Sequence, residues 1–449
     1  MKITNDLIYL VGLWMGDGNK TTSRLMISCH KNVVEKIVEK VNKVEKFEYS
    51  YKTDTIIFKK STKLKTKINS IGIEEIKKYP KHFLAGFLDS DGAVLSPQNN
   101  NKDIFNLKKK HNYEKNGIKI QFYNTNKYYL HLLFEILNKL NIPFKLNSVN
   151  KCGEKIIIKN KICNVNKIQY DISIRTAAGN YVLATYLKDI IFKEYAKKRI
   201  ERYIIWYRNL YYNKKLPIVE MFGGINGEGL SSGMPQYFVR VFGCSLNCPI
   251  CDTKYSLTKK KRKVGIGYEI NSKKFKWTTI EDIIKQIKKD GYDNICLTGG
   301  EVTLYSRKIG ALIAFLKEEN RKITTQTNGT KYVVSIFKLS DIVAVDIKTP
   351  STGVKSNNNI IKKLRKQDEV KNLIFNENDI KFAIDINKMV KERNCSHILQ
   401  PLDINGKDLK DKYKWLVEIC LEKYLDKFYN IKILPQLHKF VWGYKKRGI

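Results

Sequence analysis

The sequence lacks the long hydrophobic runs of a membrane protein. No apolar stretch approaches the roughly 20 residues that a membrane-spanning helix needs. The opening "MKITNDLIYLVGLWMGDG" has an apolar patch, but it contains Asp17 and no small-residue cleavage site, so we do not expect a signal peptide. Paired cysteines are lacking too, because the nine cysteines are odd in number and mostly scattered. These absences disfavour a disulfide framework and predict a protein of the reducing cytoplasm.

Acidic residues are scarce relative to basic ones. The 449 residues include 83 Lys and Arg but 44 Asp and Glu, which gives a formal net charge of +39. Both halves of the chain share this excess, so a compositional preference of the source organism explains most of it. The charge supports contact with nucleic acid without locating it. A chain of this length is expected to form two domains.

The two expected domains divide near Lys214. A basic amphipathic stretch, "YLKDIIFKEYAKKRIERYIIWYRNLYY", ends just before this point, and Pro217 follows. Beyond it, strand patterns such as "QYFVRVFG", "NICLTGG" and "DIVAVDIKTP" alternate with helical patterns such as "IEDIIKQIKKDG". This alternation is typical of an α/β domain whose chemistry lies at the C-terminal ends of parallel strands. We therefore predict domains at 1–214 and 215–449.

The stretch "GCSLNCPICDTKYS" places Cys244, Cys248 and Cys251 at C-x3-C-x2-C spacing, with no fourth cysteine nearby. A structural zinc site is usually closed by four ligands, so a trio fits it poorly. Iron–sulfur clusters are also held by cysteine thiolates, normally four of them. Three thiolates would leave one iron of a cubane free to bind another molecule.

Polar residues follow several predicted strands of the second half. "LTGGE" places two glycines before Glu301, where we expect a close backbone approach to a ligand and an exposed carboxylate that takes an ammonium group. "TQTNGT" offers Thr327 and Asn328, and "VDIKTPSTG" offers Asp346 and Lys348. Each motif alone could be an ordinary turn. Their position behind the cysteine trio favours a shared site.

Here the sequence resembles the radical S-adenosylmethionine (SAM) enzymes, in which three cysteines hold a [4Fe-4S] cluster and SAM binds the free iron. Within that superfamily it resembles the 7-carboxy-7-deazaguanine synthases. The resemblance rests on "VEMFGGINGEGLSSGMPQYFVRVFGCSLNCPICDTKYS", "TTQTNGT", "ILQPL" and "ILPQLHKFVWGYKKRGI", and it spans about 216–449. Two departures are Val302, where the family usually has Pro, and an ending one residue longer than is typical.

The resemblance implies a fold, a partial (β/α) barrel, and a set of site residues. The implied cluster ligands are Cys244, Cys248 and Cys251, and the implied Mg²⁺ ligand is Thr253. The implied substrate-binding residues are Ile225, Asn226, Gly227, Glu228, Arg240, Thr298 and Ile449. The implied SAM-binding residues are Ile250, Cys251, Asp252, Gly300, Asp346, Ile347 and Lys348. Arg240 suits the substrate carboxylate because guanidinium and carboxylate pair in a fork.

The resemblance also implies a reaction and partners. The reaction is a radical ring contraction of the small molecule 6-carboxy-5,6,7,8-tetrahydropterin to 7-carboxy-7-deazaguanine, with loss of ammonia. The product feeds queuosine or archaeosine modification of tRNA. An electron donor such as flavodoxin or ferredoxin is implied, and because synthases of this family are commonly dimers, a homodimer is one candidate assembly.

The first half contains an imperfect repeat, "YLVGLWMGDGNK" and "FLAGFLDSDGAV". Each copy is an apolar helix pattern that ends in Asp-Gly and precedes basic, aromatic strand patterns. Gly12 and Gly16 lie four apart, as do Gly86 and Ser90, so two helices could pack closely along these small residues. The carboxylates at the ends of the two helices would then repel each other, which divalent metal ions would relieve.

The motifs "LVGLWMGDG" and "LAGFLDSDG" resemble the paired motif of LAGLIDADG homing endonucleases. The resemblance implies a duplicated αββαββα domain, double-stranded DNA on its strands, and metal-binding catalytic acids at Asp17 and Asp91. Gly18 and Gly92 suit the C′ position after each helix, and Lys127 is a candidate for stabilising transition-state charge. Such endonucleases often lie within inteins, but the initial Met and the lack of a His-Asn pair before the second domain lead us to expect an in-frame fusion.

Three other interpretations stay open at this point. The chain could be a DNA-binding protein whose cysteines hold zinc. It could be an activase of the glycyl-radical type that acts on a protein partner. It could also be primarily a homing endonuclease that carries an inactive or different radical SAM domain.

Overall fold

The computed structural model describes residues 3–18, 22–29, 31–95, 118–150, 155–158, 161–164, 168–254, 275–402 and 409–443. The chain divides into two compact units, Met1–Asn209 and Leu210–Ile449. The division falls a few residues before the boundary predicted at Lys214.

The first unit contains two successive groups of helices and strands. The first group is α1 (Asn5–Asp17), β1 (Met26–Ser28), α2 (Val34–Val44), β2 (Tyr49–Lys52), β3 (Thr55–Phe58), α3 (Thr62–Ser70) and α4 (Ile73–Ile76). The second is α5 (Pro80–Asp91), β4 (Gly92–Leu95), β5 (Lys119–Asn124), α6 (Lys127–Lys139), β6 (Phe144–Asn150), β7 (Lys155–Ile158), β8 (Lys161–Asn164), β9 (Gln169–Ile174), α7 (Ala177–Leu187) and α8 (Glu194–Tyr211).

The sheets of the first unit are antiparallel and differ between the groups. The first group forms a three-stranded sheet of order β1-β3-β2, and the second forms a four-stranded sheet of order β4-β5-β9-β6. The hairpin β7–β8 is inserted between β6 and β9. The described part of the first group has one strand before its second helix where the second group has two, so the repeat is unequal.

Helices α1 and α5 pack against each other with their backbones in close approach. A Cβ on Gly12 would lie 2.2 Å from the Phe83 carbonyl oxygen, and one on Gly86 would lie 2.1 Å from the Tyr9 carbonyl oxygen. Glycine is therefore required at both crossing points. Helix α1 begins at Thr4, whose Oγ1 accepts from the Leu7 N–H at 3.2 Å. Its residues from Leu7 to Met15 are all buried, as expected for a helix that is apolar on every side.

The second unit is built on a nine-stranded sheet. Its strands are β10 (Lys215–Ile225), β11 (Pro235–Val241), β12 (Lys276–Thr279), β13 (Asn294–Gly299), β14 (Lys322–Thr327), β15 (Ile342–Asp346), β16 (Glu369–Ile374), β17 (Ser396–Pro401) and β18 (Ile431–Ile433). Their order is β12-β10-β11-β13-β14-β15-β16-β17-β18. From β11 to β18 neighbouring strands are parallel, whereas β10 pairs antiparallel with both β11 and β12.

Helices follow β12, β13, β14, β16, β17 and β18 along the chain. They are α9 (Ile280–Asp290), α10 (Ser306–Glu318), α11 (Val334–Leu339), α12 (Glu377–Arg393), α13 (Leu409–Ile419) and α14 (Leu437–Trp442). Helix α9 is capped at both ends. At its start the Thr279 Oγ1 accepts from the Asp282 N–H at 3.0 Å, and at its end Gly291 adopts the left-handed conformation with φ +76°. The mixed α/β class predicted for this half is confirmed. None of the described helices is long and apolar enough to cross a membrane.

Candidate functional site

A cavity of about 250 Å³ lies at the C-terminal ends of the parallel strands of the second unit. It is lined by the ends of β10, β11 and β13 to β17 together with the cysteine loop and the segment around α14. Most of the residues predicted for this half line it, namely Ile225, Asn226, Gly227, Glu228, Arg240, Cys244, Cys248, Ile250, Cys251, Asp252, Thr253, Thr298, Gly300, Asp346 and Lys348. Parallel strands gather these residues because their carboxyl ends meet at one edge of the sheet.

The loop that carries the first cysteine is held by a neighbouring strand end. Gly243 turns the chain out of β11 with φ +90°, a conformation that favours glycine. The Cys244 Sγ then accepts from the Leu246 N–H at 3.4 Å and from the Asn328 Nδ2 at 3.3 Å. Burial raises the pKa of Cys244, and the two donors partly offset that rise.

The other two cysteines, Cys248 and Cys251, line the same cavity. Burial raises the pKa of Cys248 to about 11; Lys348 lowers it, while Cys251 and Cys244 raise it further. The Cys251 Sγ lies 3.4 Å from the Thr253 Oγ1. A metal would reverse this protonation, because a coordinating thiol is deprotonated.

The donor set fits an iron–sulfur cluster with one open position. Three cysteines, and no fourth, appear among the described residues that line the cavity. The described ranges hold no group of three or more His, Cys, Asp or Glu side chains arranged around a single metal ion. A cluster makes a different demand, because its thiolates bind separate iron atoms.

Glu301 of the "GGE" loop is buried, so the expectation of an exposed carboxylate was wrong. It is 1% exposed and accepts three hydrogen bonds. The donors are the Thr303 N–H at 2.9 Å, the Thr327 hydroxyl at 2.8 Å and the Asn328 N–H at 2.7 Å. Glu301 therefore joins the ends of β13 and β14, rather than presenting a carboxylate to a ligand.

The two glycines of this loop accommodate the cysteine loop. Gly299 has φ +140°, and a Cβ on Gly300 would lie 2.0 Å from the Gly243 carbonyl oxygen. The Gly300 N–H donates to the Val241 carbonyl at 3.0 Å, and the Glu301 N–H donates to the Gly243 carbonyl at 2.8 Å. The close approach is thus made by the protein's own backbone.

Glu228 is held in a buried network on one side of the cavity. Its Oε2 pairs with the Lys371 Nζ at 2.5 Å, and its Oε1 accepts from the Gln436 Nε2 at 2.6 Å. The Glu228 N–H donates to the Asn226 Oδ1 at 3.0 Å. Burial alone would raise the pKa of Glu228, but Lys371 and His438 together hold it well below its usual range.

Arg240 and Thr298 also line the cavity and are oriented by neighbours. The Arg240 Nε donates to the Glu220 Oε1 at 2.6 Å, across the antiparallel pair β10–β11. The Thr298 hydroxyl donates to the Gln326 Oε1 at 2.7 Å. The cavity therefore presents a guanidinium and a hydroxyl whose positions are set by the sheet.

Some buried polar atoms of the described lining residues have no protein partner. Lys348 pairs with the Asp346 Oδ2 at 2.6 Å. Among the described residues, the Asp346 Oδ1 and the Gln400 Nε2 are buried and have no hydrogen-bond partner. Buried polar groups are nearly always satisfied, so an acceptor and a donor left open in a cavity point to a polar ligand.

Two predicted residues are not brought into the cavity. Ile347, the residue after β15, is fully buried, and its N–H donates to the Lys371 carbonyl. Ile449 lies outside the described residues. Several lining residues were not predicted, among them the polar residues Lys371, Gln400, Gln436 and His438. One signal was available for Lys371, a lysine inside the otherwise uncharged strand segment "VKNLI" of β16.

The first unit brings Asp17 and Asp91 together at the ends of α1 and α5. Burial raises the pKa of Asp17 to about 7, with a further contribution from the Asp91 charge, while Lys193 lowers it. The Asp91 Oδ2 accepts from the Asn124 Nδ2 at 2.8 Å. Two carboxylates held this close repel each other and together attract a divalent cation.

Lys193, not predicted, is the cation beside these acids. Its Nζ donates to the Ser90 carbonyl at 2.6 Å and its N–H donates to the Asp89 Oδ1 at 2.9 Å. Lys127, the predicted cation, is exposed at the first residue of α6.

The two glycines after the helices differ from the expectation. Gly18 and Gly92 are both extended, so neither adopts the left-handed conformation usual at the C′ position. Steric crowding explains Gly18 instead, since a Cβ there would lie 2.2 Å from the Trp14 side chain.

The sequence of the second unit is similar to known proteins. Residues 238–396 match the Radical SAM superfamily. The 7-carboxy-7-deazaguanine synthase of Thermoplasma acidophilum is 31% identical over 230 residues, which cover 50% of this chain and 97% of that protein.

Two solved structures are also similar. The crystal structure of QueE from Escherichia coli is 25% identical, covering 51% of this chain and 98% of that one with a TM-score of 0.39. The crystal structure of I-DmoI in complex with DNA and Mn is 15% identical, covering 38% of this chain and 89% of that one with a TM-score of 0.23. On its sequence similarity to the synthases, the chain belongs to the 7-carboxy-7-deazaguanine synthase family of the radical SAM superfamily.

Proposed function

We propose that the second unit converts 6-carboxy-5,6,7,8-tetrahydropterin to 7-carboxy-7-deazaguanine with loss of ammonia. One observation carries this proposal: a single cavity joins three cysteines to the buried carboxylate Glu228 and the guanidinium of Arg240. A site that only activates a protein partner would not need this pairing of charges against a small molecule. The product serves the 7-deazaguanine modification of tRNA.

The residues present fit a [4Fe-4S] cluster and SAM. Cys244, Cys248 and Cys251 would hold the cluster, and SAM would lie against Asp346 and Lys348, with Ile250, Asp252 and Gly300 nearby. The Asp346 Oδ1, buried without a protein partner, suits a donor of such a ligand. When bound, the cluster and SAM supply the radical chemistry. The Thr253 hydroxyl is the proposed Mg²⁺ ligand.

The chain's own side chains bind and orient the pterin. Arg240 would form a fork with the substrate carboxylate, its position set by Glu220. Glu228 would accept from the N–H groups of the pyrimidine ring, and Thr298 would donate or accept through its hydroxyl.

Complementation of a host tests this proposal. The chain would be expressed in a bacterium that lacks its own 7-carboxy-7-deazaguanine synthase, and its tRNA nucleosides would be measured by mass spectrometry. We expect 7-deazaguanine nucleosides to return with the unsubstituted chain and not with Cys248→Ala. Their absence in both strains, while added 7-carboxy-7-deazaguanine restores them, would contradict the proposal.

We further propose that the first unit cleaves double-stranded DNA with a divalent metal. The specific observation is the pair Asp17 and Asp91, which are close enough for Asp91 to raise the pKa of its neighbour. Metal ions there would activate water and stabilise the leaving group.

A nicking assay tests the second proposal. Supercoiled plasmid carrying the sequence that flanks the gene would be incubated with the full chain and Mg²⁺. We expect nicking that is lost in Asp91→Asn and retained in Asp189→Asn, an exposed aspartate of the same unit. Equal nicking by both variants would contradict the role of Asp91.

A further inference from the structure

Lys371 occupies an unusual place for a lysine. It lies in β16, between β15 and β17, opposite Asp346 on one side and Ile398 on the other. It is 5% exposed and lines the cavity. A buried ammonium is strongly unfavourable unless it is paired and hydrogen-bonded, so its partner must matter to the site.

That partner comes from a distant loop. Glu228 precedes Gly229 in the "GEG" loop, and its Oε2 pairs with the Lys371 Nζ at 2.5 Å. Burial would lower the pKa of Lys371, but Glu228 first, then Asp346 and Glu369, more than offset it. Both members of the pair are therefore charged.

The same face of β16 also holds the loop itself. Glu369, two residues before Lys371 and so on the same face, accepts from the Leu230 N–H at 2.5 Å. Gly229, with φ +65°, lies directly over this carboxylate, since a Cβ there would be 2.0 Å from the Glu369 Oε1. One strand thus fixes both the loop backbone and the side chain that the loop presents.

The Glu228 carboxylate keeps capacity for a ligand. Its two oxygens each accept one hydrogen bond, from Lys371 and Gln436. An ionised carboxylate oxygen has two lone pairs, so each can accept a second donor. The pyrimidine ring of a pterin presents two adjacent donors, a ring N–H and a 2-amino group, which match a carboxylate in a fork.

We infer that Lys371 is a positioning residue for pterin binding: it directs Glu228 so that the two carboxylate oxygens meet the paired N–H donors of the pyrimidine ring. This inference rests on the proposed ring-contraction function. It assigns Lys371 a role through Glu228 and not through SAM.

Binding measurements on the full, anaerobically reconstituted chain test this role. Calorimetry would give the affinities for 6-carboxy-5,6,7,8-tetrahydropterin and, separately, for SAM. We expect Lys371→Met to weaken pterin binding about tenfold or more, because Glu228 loses a charge-assisted contact, and to weaken SAM binding by a smaller factor. Lys371→Gln, which can donate to Glu228 without a charge, should give a smaller loss and serves if the Met variant does not fold.

A double variant separates positioning from a general structural effect. If Lys371 acts through Glu228, adding Lys371→Met to Glu228→Gln should change pterin affinity by no more than about twofold. Arg365→Met is the matched control, because it breaks a buried ion pair with Asp368 at 2.7 Å outside the cavity. It should leave pterin affinity unchanged.

The outcomes distinguish the two proposals. Unaltered pterin affinity in Lys371→Met, or a full additive loss in the double variant, would overturn the inference while the proposed function stands. No pterin binding by the unsubstituted chain would overturn both.

Discussion

The Glu301 carboxylate accepts the Asn328 N–H at 2.7 Å, and this contact ties the end of β13 to the end of β14 beneath the cysteine loop. The Asn328 side chain in turn donates to the Cys244 Sγ. The buried Glu301 thereby helps to set the position of Cys244, the first of the three proposed cluster ligands. The site is organised by the strand ends themselves, as parallel sheets allow.

Replacing Glu301 should destabilise the second unit. In Glu301→Gln the new amide would place a donor against backbone and hydroxyl donors, leaving at least one of them unsatisfied. We expect a loss of about 1.5–3 kcal/mol in the free energy of unfolding. Urea denaturation followed by circular dichroism measures it. Glu392→Gln, at an exposed position, should change stability by less than about 0.5 kcal/mol. Equal stabilities would mean that the buried contacts of Glu301 are not needed.

The close packing of α1 and α5 should not tolerate a methyl group. In Gly86→Ala the added Cβ would lie 2.1 Å from a backbone oxygen, which cannot rotate away. The helices would have to separate, and we expect a loss of about 1–3 kcal/mol or more. Gly72→Ala is the control, because nothing lies within 4 Å of its Cβ position. Thermal unfolding of both variants gives the comparison, and similar melting temperatures would contradict the packing account.

Acid should weaken the second unit through His397. The Asn372 and Asn387 amide N–H groups each donate to a backbone carbonyl, which fixes the orientation of both amides. The His397 Nε2 therefore donates to the Asn372 Oδ1 at 2.6 Å, and its Nδ1 accepts from the Asn387 Nδ2 at 2.9 Å. Burial lowers the pKa of His397 from 6.5 to about 3, so the imidazole is neutral when folded. Between those values the unfolded chain binds the extra proton, and stability falls as the pH falls.

The size of this effect can be measured against a variant. From pH 7 to pH 5 the unsubstituted chain should lose about 2 kcal/mol more unfolding free energy than His397→Gln, which has no group to protonate there. Urea denaturation at the two pH values gives the difference. The same pH dependence in both proteins would show that His397 does not titrate in this way.

Replacing the Arg240 guanidinium with an ammonium group should weaken pterin binding without slowing the reaction. Lysine keeps the charge but cannot bind the substrate carboxylate and Glu220 with a rigid fork. In Arg240→Lys we expect the KM for the pterin to rise about tenfold with little change in kcat. Arg393→Lys is the control, since Arg393 binds the Leu364 carbonyl at 2.7 Å outside the cavity. A fall in kcat at unchanged KM would contradict a binding role.

Local spacing explains which features the sequence could predict. Helical and strand patterns alternate after Lys214, so the α/β class could be predicted there. The antiparallel edge formed by β10 and β12 could not, because strand direction depends on the pairing partner and leaves no local pattern. The partial barrel remains a prediction.

Some residues of the site could likewise be predicted from the sequence, and others could not. The cysteines lie within eight residues of each other, so their spacing alone was informative. Glu301 was misplaced because a turn motif does not reveal that distant Thr327 and Asn328 bury its carboxylate. Lys371 and Gln436 were missed because they meet Glu228 only through the fold.

The most direct test of the central claim is the reaction itself. The full chain would be reconstituted anaerobically with iron and sulfide and incubated with SAM, Mg²⁺, reductant and 6-carboxy-5,6,7,8-tetrahydropterin. Mass spectrometry would then follow the products. We predict 7-carboxy-7-deazaguanine together with 5′-deoxyadenosine, both lost in Cys248→Ala. Cleavage of SAM to 5′-deoxyadenosine without 7-carboxy-7-deazaguanine would contradict the substrate assignment.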